Sequence, residues 1–295
     1  MFHKEYSVKP KKDFPAEVYL NGQWVRSEDA MISVFDRGFM FGDGIYEVTP
    51  FYSGKPFRAE AHLDRLEYCL NQIGLQQDIE PYAELMNEAI QRTGLEDKDA
   101  GVYIQISRGV APRTHWFPEN SRPTVLLYAF PVDLEHFEQK RWSALVSKDY
   151  RWQRCDIKST ALLANCMAND SAISAGYDEH LLVRDSCITE GSHSTAFFVS
   201  DGVVHTHPEG PLILSGITRK EVLDICKQLG IPVRTQAVRL QDLSRMEEVF
   251  FTGTTTQITS VSLLEGKGIP TLEFPRGEIT AKLQEEFRRR TRGTG

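Results

Sequence analysis

The Asn21-Gly22 pair in "EVYLNGQWVR" constrains the fold more than any other short stretch of the chain. Both residues tolerate positive φ, and two alternating apolar/polar runs flank them, so the segment reads as a tight antiparallel hairpin. A sheet therefore begins near residue 17. The pattern recurs in "YEVTPFYSGKPFR", with its turn at Ser53-Gly54. In "GVYIQISRG", Val102, Ile104 and Ile106 alternate onto one face, and "PTVLLYAFP" supplies a strand bounded by prolines. Between these runs, Leu63, Leu66, Leu70 and Ile73 mark one face of a helix. A second helix is expected over Tyr82–Arg92, closed by Gly94. This half reads as an antiparallel sheet with helices on one side.

The stretch "PVDLEHFEQK" is polar, acidic and without a clear period. It places a linker at 132–140, between a smaller N-terminal α/β domain at 17–131 and a larger C-terminal domain at 141–295. Beyond it, strands in "WSALVSKDY", "EHLLVRD", "TAFFVSDGVVHTH" and "EEVFFTGT" mix with helices after Ser159, after Thr218 and near the C-terminus. The fold class is α+β, or mixed α/β, in two domains, and 295 residues suffice for two cores. Residues 1–16 form a polar leader without an apolar h-region, and the longest apolar run, "VLLYAF", is too short to cross a bilayer. A formal charge of -7 argues against a general nucleic-acid binder. Five cysteines are scattered singly, with no C-x-x-C pair and no histidine grouping of zinc type. That favours a reducing, cytoplasmic setting and no metal site. The basic run in "FRRRTRG" reads as the solvated end of a C-terminal helix.

Six stretches carry candidate chemistry. Lys158 stands between Ile157 and a run of small and apolar residues in "QRCDIKSTALLANCMAND"; by itself it reads as a surface amine whose stem lies along apolar neighbours. "VFDRGFMFGDGIYEV" sets Asp36, Arg37, Asp43, Tyr46 and Glu47 among glycines, the mark of tight turns. "RGVAPRTHWFP" puts Arg108, Arg113 and His115 on a proline-bracketed loop, and an arginine fork matches a carboxylate. Glu190 of "CITEGSHSTAFF" ends a strand, where a glutamate is usually exposed. "SGITRKEV" opens a helix at Ile217 and Thr218, and "TGTTTQI" stacks hydroxyls in a turn, both natural phosphate cradles. Together these supply what pyridoxal 5′-phosphate requires: a lysine, an acid for the ring nitrogen, phosphate donors and a carboxylate clamp.

In this order the motifs "DRGFMFGDGIYEV", "HLDRL", "RGVAPRTHWFPEN", "CDIKS", "ITEGS", "GITR" and "FFTGTTTQIT" resemble the class IV, fold type IV, pyridoxal-phosphate aminotransferases over most of the chain. The likeness is greatest to the branch that acts on D-amino acids. It implies a two-domain fold with the cofactor in the interdomain cleft and a cofactor-binding C-terminal domain. It also implies transamination of D-alanine or D-glutamate with a 2-oxo acid acceptor, ping-pong through pyridoxamine phosphate. Lys158 then matches the lysine joined to the cofactor, and Glu190 the carboxylate facing the ring nitrogen. Arg65 of "HLDRL", Ile217, Thr218 and Thr254 match phosphate contacts. Tyr46, Arg113 and His115 match the substrate-carboxylate trap, whose loop in the family reaches a neighbouring subunit, so a homodimer is implied. An aminodeoxychorismate lyase, a branched-chain aminotransferase or an (R)-amine transaminase of the same fold is the alternative. The chain departs from the family after its "EG", where the usual serine-rich turn followed by Asn is replaced by His193, Ser194 and Thr195.

Overall fold

The computed structural model describes residues 14–293. The leader expected at 1–16 lies almost wholly outside them. The chain divides into two units: one runs to Asp133 and includes Ile157–Leu162, and the other holds Leu134–Asp156 and the chain from Leu163 on.

In the first unit the hairpin forms where Asn21-Gly22 stands, joining β1 (Glu17–Leu20) to β2 (Gln23–Arg26) with Tyr19 opposite Trp24. Both turn residues have positive φ, 51° and 97°, which explains the residue types. A short helix α1 (Arg37–Phe41) precedes β3 (Gly44–Tyr52), which turns at Ser53-Gly54 into β4 (Lys55–Pro56). Helices α2 (Ala59–Gln72) and α3 (Tyr82–Arg92) follow, then β5 (Ala100–Ser107) and β6 (Thr124–Pro131). The sheet order is β2-β1-β6-β5-β3-β4, antiparallel at every pairing. Val102, Ile104 and Ile106 bury on one face with Leu66, Leu70, Met86 and Ile90 of the two helices. Each such side chain contributes about 1.5–3 kcal/mol of transfer free energy when fully buried.

The second unit begins inside the stretch read as a linker. Leu134 and Phe137 are buried there; Gln257 donates to the Leu134 carbonyl at 2.8 Å, and the Phe137 ring meets Phe287 at 5.8 Å. The acidic residues around them hide this pair of apolar anchors from a periodicity reading. The strands are β7 (Arg141–Lys148), β8 (Glu179–Arg184), β9 (Cys187–Gly191), β10 (Thr195–Ser200), β11 (Val203–Thr206), β12 (Val233–Thr235), β13 (Glu248–Gly253), β14 (Gln257–Gly266) and β15 (Leu272–Glu273). With them run α4 (Leu163–Ser174), α5 (Ile217–Leu229) and α6 (Glu278–Arg292). One mixed sheet takes the order β12-β11-β10-β13-β14-β7-β8-β9, with β15 beside β14. Its consecutive phenylalanines split between faces: Phe198 and Phe251 join one core, while Phe197 stacks on Phe250 at 4.9 Å. Such a ring pair adds about 0.5–1.5 kcal/mol beyond its burial.

The arginine run on α6 differs from the solvated end expected of it. Arg290 reaches Glu221 at 3.0 Å and Gln228 at 2.6 Å, so it ties α6 to α5. Arg288 and Arg289 keep the exposed side of the helix.

Candidate active site

Lys158 is held by its backbone. Tyr46 N–H donates to its carbonyl at 2.9 Å, its own N–H donates to Cys69 Sγ at 3.3 Å, and Ser159 forms a bridge to Ile45. The lysine thus rides beside β3 and against α2, on the segment that returns to the first unit. Gly42, at φ 66°, caps α1, and a Cβ there would stand 3.1 Å from Ala161, so this approach needs glycine. The amine is half-buried and lies 3.4 Å from the Tyr46 hydroxyl and 4.4 Å from the centre of its ring. Lys158 makes no ion pair among the described residues. The surface amine suggested by the isolated stretch is therefore partly enclosed, with a phenol rather than a carboxylate for company.

Beside it lies a fully enclosed charge cluster. Arg65 donates to both oxygens of Glu47, at 2.8 and 2.7 Å, and His62 Nδ1 lies 2.9 Å from Glu47 Oε1. Burial alone would raise the Glu47 carboxyl, but Arg65 and His62 outweigh it and hold it well below the usual carboxylate range. Burial pushes the His62 imidazole down from its ordinary value, against the pull of Glu47. Arg65, the expected phosphate arginine, therefore brings a charge that Glu47 already answers.

The glycine-dense loop resolves into structure around Tyr46. Asp36 caps α1 through Gly38 N–H at 2.7 Å and accepts from Ser107 and Thr124 at 2.7 and 2.6 Å. Asp43 takes Arg37 at 2.6 Å and Arg108 at 2.9 Å. Arg108 thus turns inward, while Arg113 and His115 stay exposed against Phe41, at 5.1 and 6.0 Å from its ring. Tyr46 and Lys158 meet; no hydrogen bond joins Arg113 or His115 to either among the described residues.

In the second unit Glu190 lies in β9 and is 5 % exposed, not the solvated strand end its position suggested. Arg151 Nη1 donates to it at 2.5 Å and Leu214 N–H at 3.1 Å. The same arginine donates twice to Asp149, at 3.0 and 2.9 Å, and Asp149 also lies 3.2 Å from Arg184. Burial pushes the Glu190 carboxyl above its ordinary value, with Arg151 and Leu214 only partly offsetting it. Burial would raise Asp149 as well, but its two arginines leave it below its ordinary value. Arg151 and Asp149 went unnoticed in the sequence; the available signal was an acid and a base two residues apart on the approach to Lys158.

Ile217 and Thr218 open α5 behind Gly216, and no side chain caps the helix, so its first-turn N–H groups are open to an anion. Thr254 lies in the turn from β13 to β14, where it is partly buried. Arg219 Nε and the Thr252 hydroxyl are buried without a hydrogen-bond partner among the described residues. An uncapped helix start, hydroxyls, a lysine free of carboxylates and an under-compensated carboxyl fit the needs of pyridoxal phosphate.

Residues 44–264 match the amino-transferase class IV family. The chain belongs to the class IV aminotransferases. It is 37 % identical over 278 residues to D-alanine aminotransferase of Listeria monocytogenes, covering 92 % of this chain and 94 % of that one. It is 36 % identical over 255 residues to the D-alanine aminotransferase of Bacillus licheniformis, covering 86 % and 90 %. Among solved structures it resembles the branched-chain amino acid aminotransferase from Escherichia coli, at TM-score 0.83 and 26 % identity over 96 % of each chain. The fold is that of the fold type IV aminotransferases, and the protein is an aminotransferase.

Proposed function

We propose that this aminotransferase uses pyridoxal 5′-phosphate to move the amino group of D-amino acids, D-alanine and D-glutamate among them, to a 2-oxo acid, with ping-pong kinetics. The observation that carries the reading is the Lys158 amine beside the Tyr46 hydroxyl, answered by no carboxylate among the described residues. Bound pyridoxal phosphate supplies an aldehyde that accepts the amino group and a conjugated ring that spreads the electrons left when the α proton departs. Lys158 Nζ is the base that takes the proton from the substrate α carbon. Tyr46 holds that amine by hydrogen bond and orients it. Glu190, whose carboxyl burial pushes up despite Arg151, would accept the ring N–H, and Arg151, itself held by Asp149, would keep it in place. Ile217, Thr218 and Thr254, with the Glu47-paired Arg65, are the residues that would hold the phosphate.

The handedness follows from where the carboxylate is held. With three anchors fixed, only one enantiomer turns its α hydrogen toward Lys158. We assign that anchor to Tyr46, Arg113 and His115, and we assign the last two to a second copy of the chain. Two features support a homodimer: the exposure of Arg113 and His115, and the exposed Met31, Val34, Phe35, Phe39, Trp116 and Phe117 of the first unit. Apolar exposure on that scale marks an interaction surface. The cysteines are free, as in a reducing compartment, and we place the enzyme in the cytoplasm. No helix of the described residues is long and apolar enough to cross a membrane.

The test is a matched assay of D- and L-alanine and D- and L-glutamate with 2-oxoglutarate or pyruvate as acceptor. Turnover of the D-forms alone is expected. Preferential turnover of L-leucine or L-valine would point instead to the branched-chain activity of the structural relative, and 2-oxo acid release without an acceptor to a lyase.

A further inference from the structure

The turn after Glu190 is braced from behind. Glu179, 0 % exposed at the start of β8, accepts from His180 N–H at 2.7 Å, Ser192 N–H at 3.0 Å and Ser194 Oγ at 2.6 Å, and from the Ser192 hydroxyl. His193 Nδ1 lies 3.0 Å from its second oxygen and is its one ion-pair partner among the described residues. A carboxylate buried this deeply is costly without such company. Burial would raise it, but His193 and the two serine hydroxyls outweigh that and hold it low. From outside, α4 closes on the same turn. Asn165 donates to the Ser192 carbonyl at 2.8 Å, and one helical turn later Asn169 Nδ2 is 3.3 Å from both Ser192 Oγ and His193 Nδ1.

The turn also touches both candidate phosphate cradles. Thr195 Oγ1 is 3.1 Å from where a Cβ on Gly216 would stand, and the His193 carbonyl is 3.8 Å from one on Gly253. Gly191 N–H closes the turn on the Ser194 carbonyl at 2.7 Å, directly after Glu190. One short segment therefore carries the Glu190 carboxyl at its head and packs against Gly216 and Gly253 at its tail.

We propose that His193 is a positioning residue for the cofactor: by bracing Glu179 it fixes the Gly191–Thr195 turn and so aligns Glu190 with the phosphate donors. This rests on the pyridoxal phosphate reading given above. The imidazole acts through Glu179 and takes no part in proton transfer.

The experiment titrates apoprotein with pyridoxal 5′-phosphate, following quenching of tryptophan fluorescence, for the wild type, His193→Ala and His193→Asn. Losing a hydrogen bond to a buried charge should weaken cofactor binding about tenfold in His193→Ala. An asparagine amide can occupy the place of Nδ1 and donate to Glu179, so His193→Asn should recover to within about threefold of wild type. With cofactor saturating, kcat for D-alanine should fall in the alanine variant while KM stays unchanged, because the carboxylate anchors are elsewhere. Should the alanine variant not fold, His193→Ser, whose hydroxyl is too short to reach Glu179, takes its place in the same comparison. Wild-type affinity in His193→Ala, or an asparagine variant no better than alanine, would overturn the proposal alone. A wild-type protein that binds no pyridoxal phosphate overturns the functional reading with it.

Discussion

Each unit buries an arginine against carboxylates, and the two clusters balance their charges in opposite ways. In the first, one carboxylate, Glu47, is answered by both Arg65 and His62. In the second, Arg151 is shared by Asp149 and Glu190, and a further arginine, Arg184, reaches Asp149 alone of the two. The consequence is visible in the acids: Glu47 is held low, whereas Glu190 is pushed up by burial that its neighbours only partly offset. A closed cluster of the first kind supports a fold. A cluster of the second kind leaves the Glu190 carboxyl only partly offset, since Arg184 meets Asp149 rather than Glu190, and a protonated ring nitrogen would add a cation beside Glu190. The difference separates the group proposed to meet the cofactor ring from one that only holds a neighbour in place.

The largest effect should appear in stability. Glu47→Gln strands the buried Arg65, and breaking a buried pair from one side costs about 3–5 kcal/mol. Glu190→Gln removes an already under-compensated charge and should cost under about 1 kcal/mol. Urea melts of the two variants test this; equal losses would dissolve the contrast. Turnover should respond the other way. Glu190→Gln exchanges a charged hydrogen bond to the ring nitrogen for a neutral one, worth about 1.5–3 kcal/mol, or tenfold to a hundredfold in kcat, with cofactor retained. Undiminished kcat would mean that another group faces the ring.

The smallest effect is a pH dependence. Burial lowers the His62 value below that of the unfolded chain, so the unfolded state binds more protons as the solution becomes acidic. The stability that neutral His62 supports is present above the unfolded value, about 6.5, and is lost as pH falls below it. Glu47, also lowered, contributes above the unfolded glutamate value of about 4.3 and loses its share only at more acid pH. The melting temperature should therefore decline from pH 7 to pH 5.5, and His62→Gln should flatten that decline. A melting temperature that rises toward pH 5.5 would contradict the burial of a neutral imidazole.

Much of the fold was legible because local chemistry and tertiary structure agree. Asn21-Gly22 dictates its hairpin, and the alternation of Val102, Ile104 and Ile106 dictates which face of β5 is buried. The charge clusters were not legible in the same way. Glu47, Arg65 and His62 meet only when α2 packs on β3. Glu179 looks like an exposed acid at a strand start, and becomes buried through donors on a turn more than ten residues later. The return of Ile157–Leu162 to the first unit leaves no periodic trace, since its bonds run to Gly44, Tyr46 and Cys69 far back in the chain. Lys158 and Glu190 could be singled out by resemblance; Arg151 and Asp149, which surround Glu190, could not.

Lys158 is the amine proposed to engage the cofactor aldehyde. Borohydride reduction of protein loaded with pyridoxal 5′-phosphate, followed by peptide mass spectrometry, reads it directly. A single phosphopyridoxyl adduct on Lys158, absent from Lys158→Ala, is expected. An adduct on another lysine in the wild type, or none, would contradict it.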